Sequence, residues 1–254
     1  MAKPVCLISG GSSGIGAACV VEFVRHGWNV VASYFGDDDP DAAQSYVDRE
    51  VGSQAGEVLS VGLDVADEES CRRAAVAAVA RWGRLDALVN CAGITKFVPH
   101  TDLEGIDAAE FRRLYDVNLI GCFQLTRACA AALRSSGAGA VVNISSIAGL
   151  RGSGSSIAYA ASKGALNSLT LSLARSLAPS VRVNAIAPGF VDGGLPQRML
   201  SHDQYEEVLG RQAATAPLGR VSQPAEIAAL TWFMCACAPG MTGHVAVVDN
   251  GLQL

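Results

Sequence analysis

A tyrosine and a lysine one helical turn apart, Tyr159 and Lys163, follow a pair of serines, Ser145 and Ser146, that ends an apolar run. At a spacing of i, i+4 the phenol and the ammonium lie on the same face of a helix. A phenol acts as a general acid and base near neutral pH only when its phenolate is stabilised. An ammonium about 4 Å away, at an effective dielectric near 20, contributes about 4 kcal/mol, which is sufficient for that task. We therefore interpret Tyr159 as a proton-transfer group, Lys163 as its stabilising cation and Ser146 as a hydroxyl that holds a substrate oxygen.

The segments around these residues predict how they are positioned. The apolar run at 140–144 predicts a buried strand, and the stretch at 147–156, rich in Gly and Ser, predicts a loop. The Ala- and Leu-rich segment from 157 to about 177 predicts a helix. For an isolated Tyr-x-x-x-Lys, a helix that carries both residues by chance is the simpler explanation. That explanation must also account for the glycine-rich turn and the strand ends elsewhere in the chain.

A glycine-rich turn, GGSSGIG at residues 10–16, follows directly on the apolar run at 5–9. The run shows no alternation, as expected for an interior parallel strand, and helical apolar spacing follows from 17 to 25. A strand, a glycine turn and a helix together place a pyrophosphate against backbone N–H groups at a helix N-terminus. Glycine is needed because a Cβ would collide with the phosphates or force a disfavoured backbone angle. We therefore predict a dinucleotide site here.

The end of the second predicted strand, at 30–34, bears on the choice of dinucleotide. A carboxylate at that end binds a ribose 2′-hydroxyl, whereas an arginine accepts a 2′-phosphate. This chain has Tyr34 and Phe35, followed by an acidic run at 37–39. The acidic run would repel a 2′-phosphate if it faced the ribose, but we favour a solvated loop.

Two further polar residues each allow two interpretations. Asp64, after the third predicted strand, either accepts a hydrogen bond from an adenine amino group or caps a helix that starts near Ala66, and the two roles are compatible. Asn118 lies inside a predicted long helix, although Asn is a poor helix former. Either Asn118 is paired in the core, which we favour, or its backbone is locally distorted and holds a water.

Strands and helices alternate along the chain, which predicts an α/β fold with a doubly wound parallel sheet of about seven strands in one domain. The predicted strands cover 5–9, 30–34, 58–63, 85–89, 140–144, 181–186 and 244–248. The predicted helices cover 17–25, 42–51, 71–82, 111–133, 157–177 and 224–233. In such sheets ligands bind at the carboxyl ends of the strands, where the serine pair and the glycine turn both fall. The less regular segment at about 190–215 is predicted to be a substrate lid.

Composition excludes several classes of protein. The chain has 254 residues, a net charge of −5 and no basic block, which argues against a nucleic-acid surface. No apolar stretch reaches membrane-spanning length, and the run at 5–9 is too short for the apolar core of a signal peptide. The eight cysteines are scattered, mostly within apolar runs, so we expect buried thiols in a reducing cytoplasm. The cysteines and four histidines show no metal-ligand spacing, so no metal site is predicted.

Taken together, these motifs resemble the short-chain dehydrogenase/reductase family. The family's Thr-Gly-x-x-x-Gly-x-Gly appears as SGGSSGIG at 9–16, and its Asn-Asn-Ala-Gly as NCAG at 90–93. Its catalytic Asn, Ser, Tyr and Lys fall on Asn118, Ser146, Tyr159 and Lys163. By this resemblance, Tyr159 is the general acid and base, Ser146 orients the substrate oxygen, Lys163 binds the nicotinamide ribose and tunes Tyr159, and Asn118 holds a proton-relay water.

The resemblance implies an oxidoreductase that uses NAD or NADP to interconvert a secondary alcohol and a ketone. In outline the chain is most similar to 3-oxoacyl-[acyl-carrier-protein] reductases, although sugar, polyol and cyclic alcohol dehydrogenases share that outline, and family members are usually homotetramers. The implied cofactor-binding residues are Gly10, Ser12, Ser13, Gly14, Ile15, Gly16, Tyr34, Asp64, Val65, Asn90, Ala92, Gly93, Tyr159, Lys163, Pro188, Gly189 and Val191. The alternative is a dinucleotide-binding regulator that keeps the fold without turnover.

Four positions depart from the family pattern. Cys91 replaces an Asn, and Gly193 stands where a Thr often binds the carboxamide of the cofactor. Ser13 occupies the place of an Arg or Lys in NADP-preferring members, and Tyr34 the place of an Asp in NAD-preferring ones. The sequence therefore leaves the cofactor preference open.

Overall fold

A seven-stranded parallel sheet forms the centre of the molecule in the computed structural model, which describes residues 2–52 and 56–254. The strands are β1 Val5–Ser9, β2 Asn29–Tyr34, β3 Val58–Gly62, β4 Ala87–Asn90, β5 Gly139–Ile144, β6 Val181–Pro188 and β7 Val245–Val248. Their order in the sheet is β3-β2-β1-β4-β5-β6-β7, and every neighbouring pair is parallel. The predicted doubly wound sheet is confirmed.

Helices cover both faces of this sheet. They are α1 Gly14–Arg25, α2 Ala42–Glu50, α3 Glu68–Trp82, α4 Ala108–Tyr115, α5 Cys122–Ser135, α6 Ala148–Arg151, α7 Ile157–Leu177, α8 Gly194–Met199, α9 His202–Thr215 and α10 Pro224–Ala236. Apolar residues of α1, α2 and α10 pack on one face, and those of α3, α5 and α7 pack on the other.

Strand β1 shows why its apolar run lacks alternation. Cys6 and Ile8 belong to the cluster beneath α1 and α10, whereas Val5 and Leu7 belong to the cluster beneath α3 and α5. Successive side chains of a strand point to opposite faces, so a strand covered on both sides needs apolar residues at every position. All five residues of β1 are buried.

The predicted helix at 111–133 is interrupted. Helix α4 ends at Tyr115, a π-helical turn spans Asp116–Gly121, and α5 begins at Cys122. A π turn widens the backbone and is found mostly at functional sites. The expectation of one regular helix was wrong, and the irregular turn contains Asn118.

The segment predicted to be irregular is also different from expectation, because most of 190–215 forms α8 and α9. Ser201 and Gln204 form a reciprocal capping box at the start of α9, in which each side chain bonds the backbone N–H of the other residue. Gly193 is the N-cap of α8 and Gly194 is its first residue, and their φ angles are +87° and +65°. Glycines are typical of turns, so the sequence does not indicate that a helix begins here.

The cap of α3 corrects another expectation. The carboxylate of Asp67 accepts the N–H of Glu69 and is the N-cap, and the helix begins at Glu68. Asp64 instead accepts the N–H of Ala66 at 2.9 Å, which closes a turn ahead of the helix. Its carboxylate lies at the edge of a cleft rather than at the helix terminus.

Candidate active site

A cleft of about 1640 Å³ opens along the carboxyl ends of the strands. The chain crosses there from β3, on one side of β1, to β4 on the other, which is the switch point where doubly wound sheets bind ligands. The glycine turn after β1, the segments that follow β4, β5 and β6, and parts of α7, α8 and α9 line this cleft.

The serine, tyrosine and lysine singled out from the sequence all line the cleft. Ser146 lies just beyond β5, and its Oγ accepts the N–H of Ala148 at 3.1 Å. Tyr159 is in the first turn of α7, which begins where the side chain of Ser156 accepts the Tyr159 N–H. The phenol forms no hydrogen bond with any of the described residues, so its oxygen is available to a ligand. The site thus presents two hydroxyl groups to one space.

Lys163 is a buried cation that lines the same cleft as Ser146 and Tyr159. Its side chain is 5% exposed, and Nζ donates a hydrogen bond of 2.8 Å to the carbonyl of Ile144 at the end of β5. The same Nζ lies 5.8 Å from the centre of the Tyr159 ring. Lys163 therefore provides a buried positive charge beside the ring of Tyr159, as the helical spacing of the two residues predicts.

Asn118 is buried and paired, and its backbone is also distorted. Its amide bonds both backbone groups of Ile94, with the Ile94 N–H and C=O each 2.9 Å away, and it donates to Ser162 Oγ at 3.1 Å. The two interpretations of this residue therefore hold together, apart from the water, which stays a prediction. The side chain does not line the cleft but fixes the loop after β4, since Oδ1 would lie 3.2 Å from a Cβ at Gly93.

The turn after β1 fits a dinucleotide pyrophosphate. A Cβ at Gly10 would lie 3.1 Å from the backbone of Ala92, and one at Gly14 would lie 3.0 Å from the backbone of Gly194. No side chain caps α1 at Ser13, so the N–H groups of its first turn are free to meet an anion. Backbone thus surrounds the turn closely, and Ser13, Gly14 and Ile15 at the start of α1 line the cleft.

Most of the cofactor-binding residues implied by the family resemblance line the cleft, and three do not. The cleft-lining residues are Gly10, Ser12, Ser13, Gly14, Ile15, Asp64, Val65, Ala92, Gly93, Tyr159, Lys163, Pro188, Gly189 and Val191. Gly16 lies beneath the turn, where a Cβ would come within 1.9 Å of the carbonyl of Gly10. Asn90 is 2% exposed and donates to Thr126 and Asn143 inside the sheet. Tyr34 packs over Gly62.

A polar network at the rim of the cleft was not predicted from the sequence. Ser12 Oγ donates to one carboxylate oxygen of Asp38 at 2.7 Å, and Arg198 of α8 donates to the other, also at 2.7 Å. Arg198 further donates to Ser13 Oγ at 3.2 Å. The favoured interpretation of the acidic run as a solvated loop was therefore wrong for Asp38. Partial burial acts to raise the pKa of Asp38, but the hydrogen bonds from Ser12 and Arg198 outweigh it and lower that pKa.

The start of the segment at 190–215 is clamped by Tyr205 of α9. The Tyr205 hydroxyl accepts the N–H of Gly193 at 2.5 Å and donates to the carboxylate of Asp192. Asp192 also accepts a hydrogen bond from Gln223 at 3.1 Å. Gly193 has a φ of +87°, which a threonine adopts only with strain. This backbone geometry explains why glycine occupies the position where the family often has threonine.

All eight cysteines are free thiols, and six of them are buried. Burial raises the pKa of Cys91, which lines the cleft, to about 12, although the charge of Lys163 acts to lower it. No cluster of three metal-ligating side chains occurs among residues 2–52 and 56–254. Within the same ranges, no helix combines the length and the apolar character that crossing a membrane requires.

Comparisons with known proteins agree with this geometry. A family model described as enoyl-(acyl carrier protein) reductase matches residues 10–253. A Streptomyces violaceoruber protein assigned as ketoacyl reductase 2 of the granaticin polyketide synthase is 38% identical over 99% of this chain and 96% of its own. The L-fucose dehydrogenase of Bos taurus is 36% identical over 100% of this chain and 90% of its own. A crystal structure from Burkholderia xenovorans, assigned as a short-chain dehydrogenase/reductase, superimposes with a TM-score of 0.91 at 49% identity, covering 100% of this chain and 99% of the other.

Proposed function

The chain belongs to the short-chain dehydrogenase/reductase family, and on that basis we propose that it interconverts a secondary alcohol and a ketone with NAD or NADP. The observation that carries the proposal is that Tyr159, Ser146, Lys163 and the glycine turn all line one cleft, with Nζ of Lys163 5.8 Å from the centre of the Tyr159 ring. A non-catalytic regulator would have no use for this set, and no observation favours that alternative.

The nicotinamide cofactor supplies or accepts the hydride, and the chain's residues supply the proton and the positioning. In the reductive direction, Tyr159 donates its phenolic proton to the substrate oxygen as the negative charge on that oxygen develops. Ser146 donates a hydrogen bond to the same oxygen while it accepts the N–H of Ala148, which fixes its direction. Lys163 stabilises the phenolate that is left and has further N–H donors for ribose hydroxyls. In the oxidative direction Tyr159 removes the proton.

We assign Asn118 an indirect role. Within the π turn, the backbone carbonyl of Asn118 accepts a hydrogen bond of 3.3 Å from the thiol of Cys122. That carbonyl is the candidate for holding a relay water, while the side chain keeps the loop after β4 in place.

Residues 190–215 are proposed as a substrate lid within a single dinucleotide-binding domain. Helix α8 contains no buried residue, and Tyr205 is the only buried residue of α9, so the segment is weakly packed. The cleft is lined by apolar side chains of this segment, such as Phe190 and Met199, and by Phe97 of the chain after β4. A 3-oxoacyl group, a cyclic alcohol and a polyol are the substrate classes to compare.

A homotetramer in the cytoplasm is proposed as the assembled form. The edge strand β7 and the neighbouring α10 expose Val247 and Phe233, which are 44% and 46% accessible, and an exposed apolar edge favours burial against another copy. Eight unpaired thiols suit a reducing compartment. Mass photometry of the purified protein tests the assembly, and a stable monomer contradicts it.

The proposed activity is tested by a screen at 340 nm. NADH and NADPH are each offered with 3-oxoacyl thioesters, cyclic ketones and keto sugars, and the reverse reactions are followed with the corresponding alcohols. We expect turnover with at least one class and its loss in Tyr159→Phe, which retains cofactor binding. Near-normal turnover in that variant would refute the assignment of Tyr159.

A further inference from the structure

Asp38 is held at the rim of the cleft from two sides. The turn from Phe35 to Asp38, closed by a hydrogen bond of 3.2 Å and containing Gly36 at a φ of +60°, directs the chain back toward the glycine turn. One carboxylate oxygen then accepts from Ser12 and the other from Arg198, each at 2.7 Å. The side chain of Asp38 is 22% exposed. Its position and direction are therefore fixed before any ligand binds.

This position coincides with the adenosine end of a dinucleotide site. In doubly wound sheets the ribose of the adenosine lies beyond the second strand and beside the glycine turn, where an acidic side chain bonds the 2′-hydroxyl. Tyr34 occupies the strand end in this chain, but it does not line the cleft, whereas Asp38 does. The contact between Asp38 and Ser12 brings the carboxylate onto the glycine turn itself.

The charge at this rim is unfavourable for an added phosphate. Asp37 and Asp38 both line the cleft there, and Arg198 is the cation that pairs with Asp38. Two carboxylates and one guanidinium leave a net charge of −1, and a phosphate monoester adds about −1.5 to −2 more. Arg198 is already engaged by Asp38, while the remaining cleft-lining cations within the described ranges project from α6, α7 and α9. A 2′-hydroxyl adds no charge and can donate a hydrogen bond.

We propose that Asp38 selects NAD over NADP, and that Arg198 of the lid helix α8 is the positioning residue that holds the Asp38 carboxylate over the ribose subsite. The inference rests on the proposed dinucleotide-dependent function and adds the cofactor preference to it. It also links cofactor choice to the lid, because the same helix approaches Gly14 through Gly194. Arg198, which is distant in sequence from β2, thereby influences which dinucleotide binds beyond the end of β2.

The test is the dissociation constant of NADH and of NADPH, measured by calorimetry without substrate. We expect the unmodified protein to bind NADH at least tenfold more tightly. Asp38→Asn keeps the shape and the bond from Ser12 but removes the charge and releases Arg198, so NADPH should bind about tenfold more tightly and the preference should shrink or invert. Asp37→Asn is the matched control, since it removes a neighbouring cleft-lining charge but does not release Arg198, and its ratio should change clearly less than that of Asp38→Asn.

A double variant separates the two roles. Adding Arg198→Ala to Asp38→Asn should cancel the gain in NADPH affinity, because the freed guanidinium is what would receive the 2′-phosphate. Thermal unfolding verifies that each variant is folded.

Equal or tighter binding of NADPH by the unmodified protein overturns this inference alone and leaves the proposed activity in place. A change of less than threefold in the ratio for Asp38→Asn, or an equal change for Asp37→Asn, also overturns it. Failure to bind either dinucleotide rejects the proposed function and this inference together.

Discussion

The two walls of the cleft are built in different ways. The catalytic wall, made of β5, α6 and α7, carries Ser146, Tyr159 and Lys163 on or beside elements that lie deep in the molecule, and all six residues of β5 are buried. The lid wall, made of α8 and α9, meets the rest of the chain through exposed side chains such as Arg198, which is 53% accessible. The groups we assign to chemistry therefore lie on the rigid wall, whereas Arg198, which we assign to the positioning of Asp38, lies on the weakly held one.

This difference matches what each task requires. Proton transfer depends on hydroxyl groups held within a few tenths of an ångström, and packed elements provide that precision. Binding and release of a cofactor require a surface that opens at low free energy, which sparse and exposed contacts allow. We expect substitutions on the catalytic wall to change the rate of hydride transfer and substitutions on the lid wall to change affinity.

Lys163→Met should have the largest effect, a loss of turnover of at least about 10³-fold, because it removes the cation beside Tyr159. It also leaves the carbonyl of Ile144 without its donor, at a cost of about 1–3 kcal/mol in the free energy of unfolding. Steady-state kinetics and denaturant unfolding measure the two effects. Lys96→Met is the control, because Lys96 does not line the cleft. Retention of a tenth of the activity in Lys163→Met would contradict the role of the cation.

Ser146→Ala should lower kcat by about 10²-fold, which is the usual effect of removing one oriented donor from a developing oxyanion. The matched control is Ser145→Ala, because Ser145 is adjacent but turns inward and bonds Asn167 at 2.6 Å and the carbonyl of Lys163 at 3.3 Å. The control should lose stability and retain most of its rate. An equal loss of rate in both variants would show that the two serines act only through the structure of the loop.

Arg198→Ala should have a smaller effect on the opposite wall. We expect the dissociation rate of NADH to rise about two- to tenfold and amide exchange in α8 to accelerate, because the variant removes the bonds to Asp38 and Ser13. Stopped-flow displacement and hydrogen exchange measure these changes. Unaltered exchange in α8 would show that other contacts hold the lid.

The smallest effect concerns thiol chemistry. Only thiolates react rapidly with alkylating reagents, and burial raises the pKa of Cys91 to about 12 and that of Cys122 to about 11. At pH 8 both thiols are protonated, so we expect Cys237, the exposed cysteine, to be labelled first and without loss of activity. Peptide mapping after brief alkylation identifies the site. Rapid labelling of Cys91 would indicate that the segment after β4 opens more readily than its packing suggests.

The catalytic wall was also the more predictable from sequence. Its strand and its long helix follow from local patterns, whereas helix α6 lies within the stretch predicted to be a loop. Tyr159 and Lys163 are neighbours because of helical periodicity alone. The distorted backbone at Asn118 was predicted only as the less favoured of two alternatives, and the pairing with Ile94, 24 residues earlier in the chain, was not predicted. Nothing local marks such a distortion except a poor helix former in a helical segment.

The lid wall was poorly predicted for a related reason. Gly193, Gly194 and Pro196 indicate an irregular chain, although α8 begins within this stretch. The contact between Arg198 and Asp38 joins residues 160 positions apart, so no local sequence pattern in either segment predicts it. The acidic run after β2 was visible, but the partner that fixes Asp38 became apparent only from the fold.

The most direct test of this division of labour is a single-turnover measurement of hydride transfer, with enzyme saturated by its preferred reduced cofactor and mixed with ketone. Tyr159→Phe and Arg198→Ala are compared side by side. The account predicts that Tyr159→Phe lowers the transfer rate at least about 10³-fold with an unchanged cofactor dissociation constant, whereas Arg198→Ala alters that constant and leaves the rate within about twofold. A Tyr159→Phe protein that transfers hydride at a rate near that of the unmodified enzyme would contradict the account.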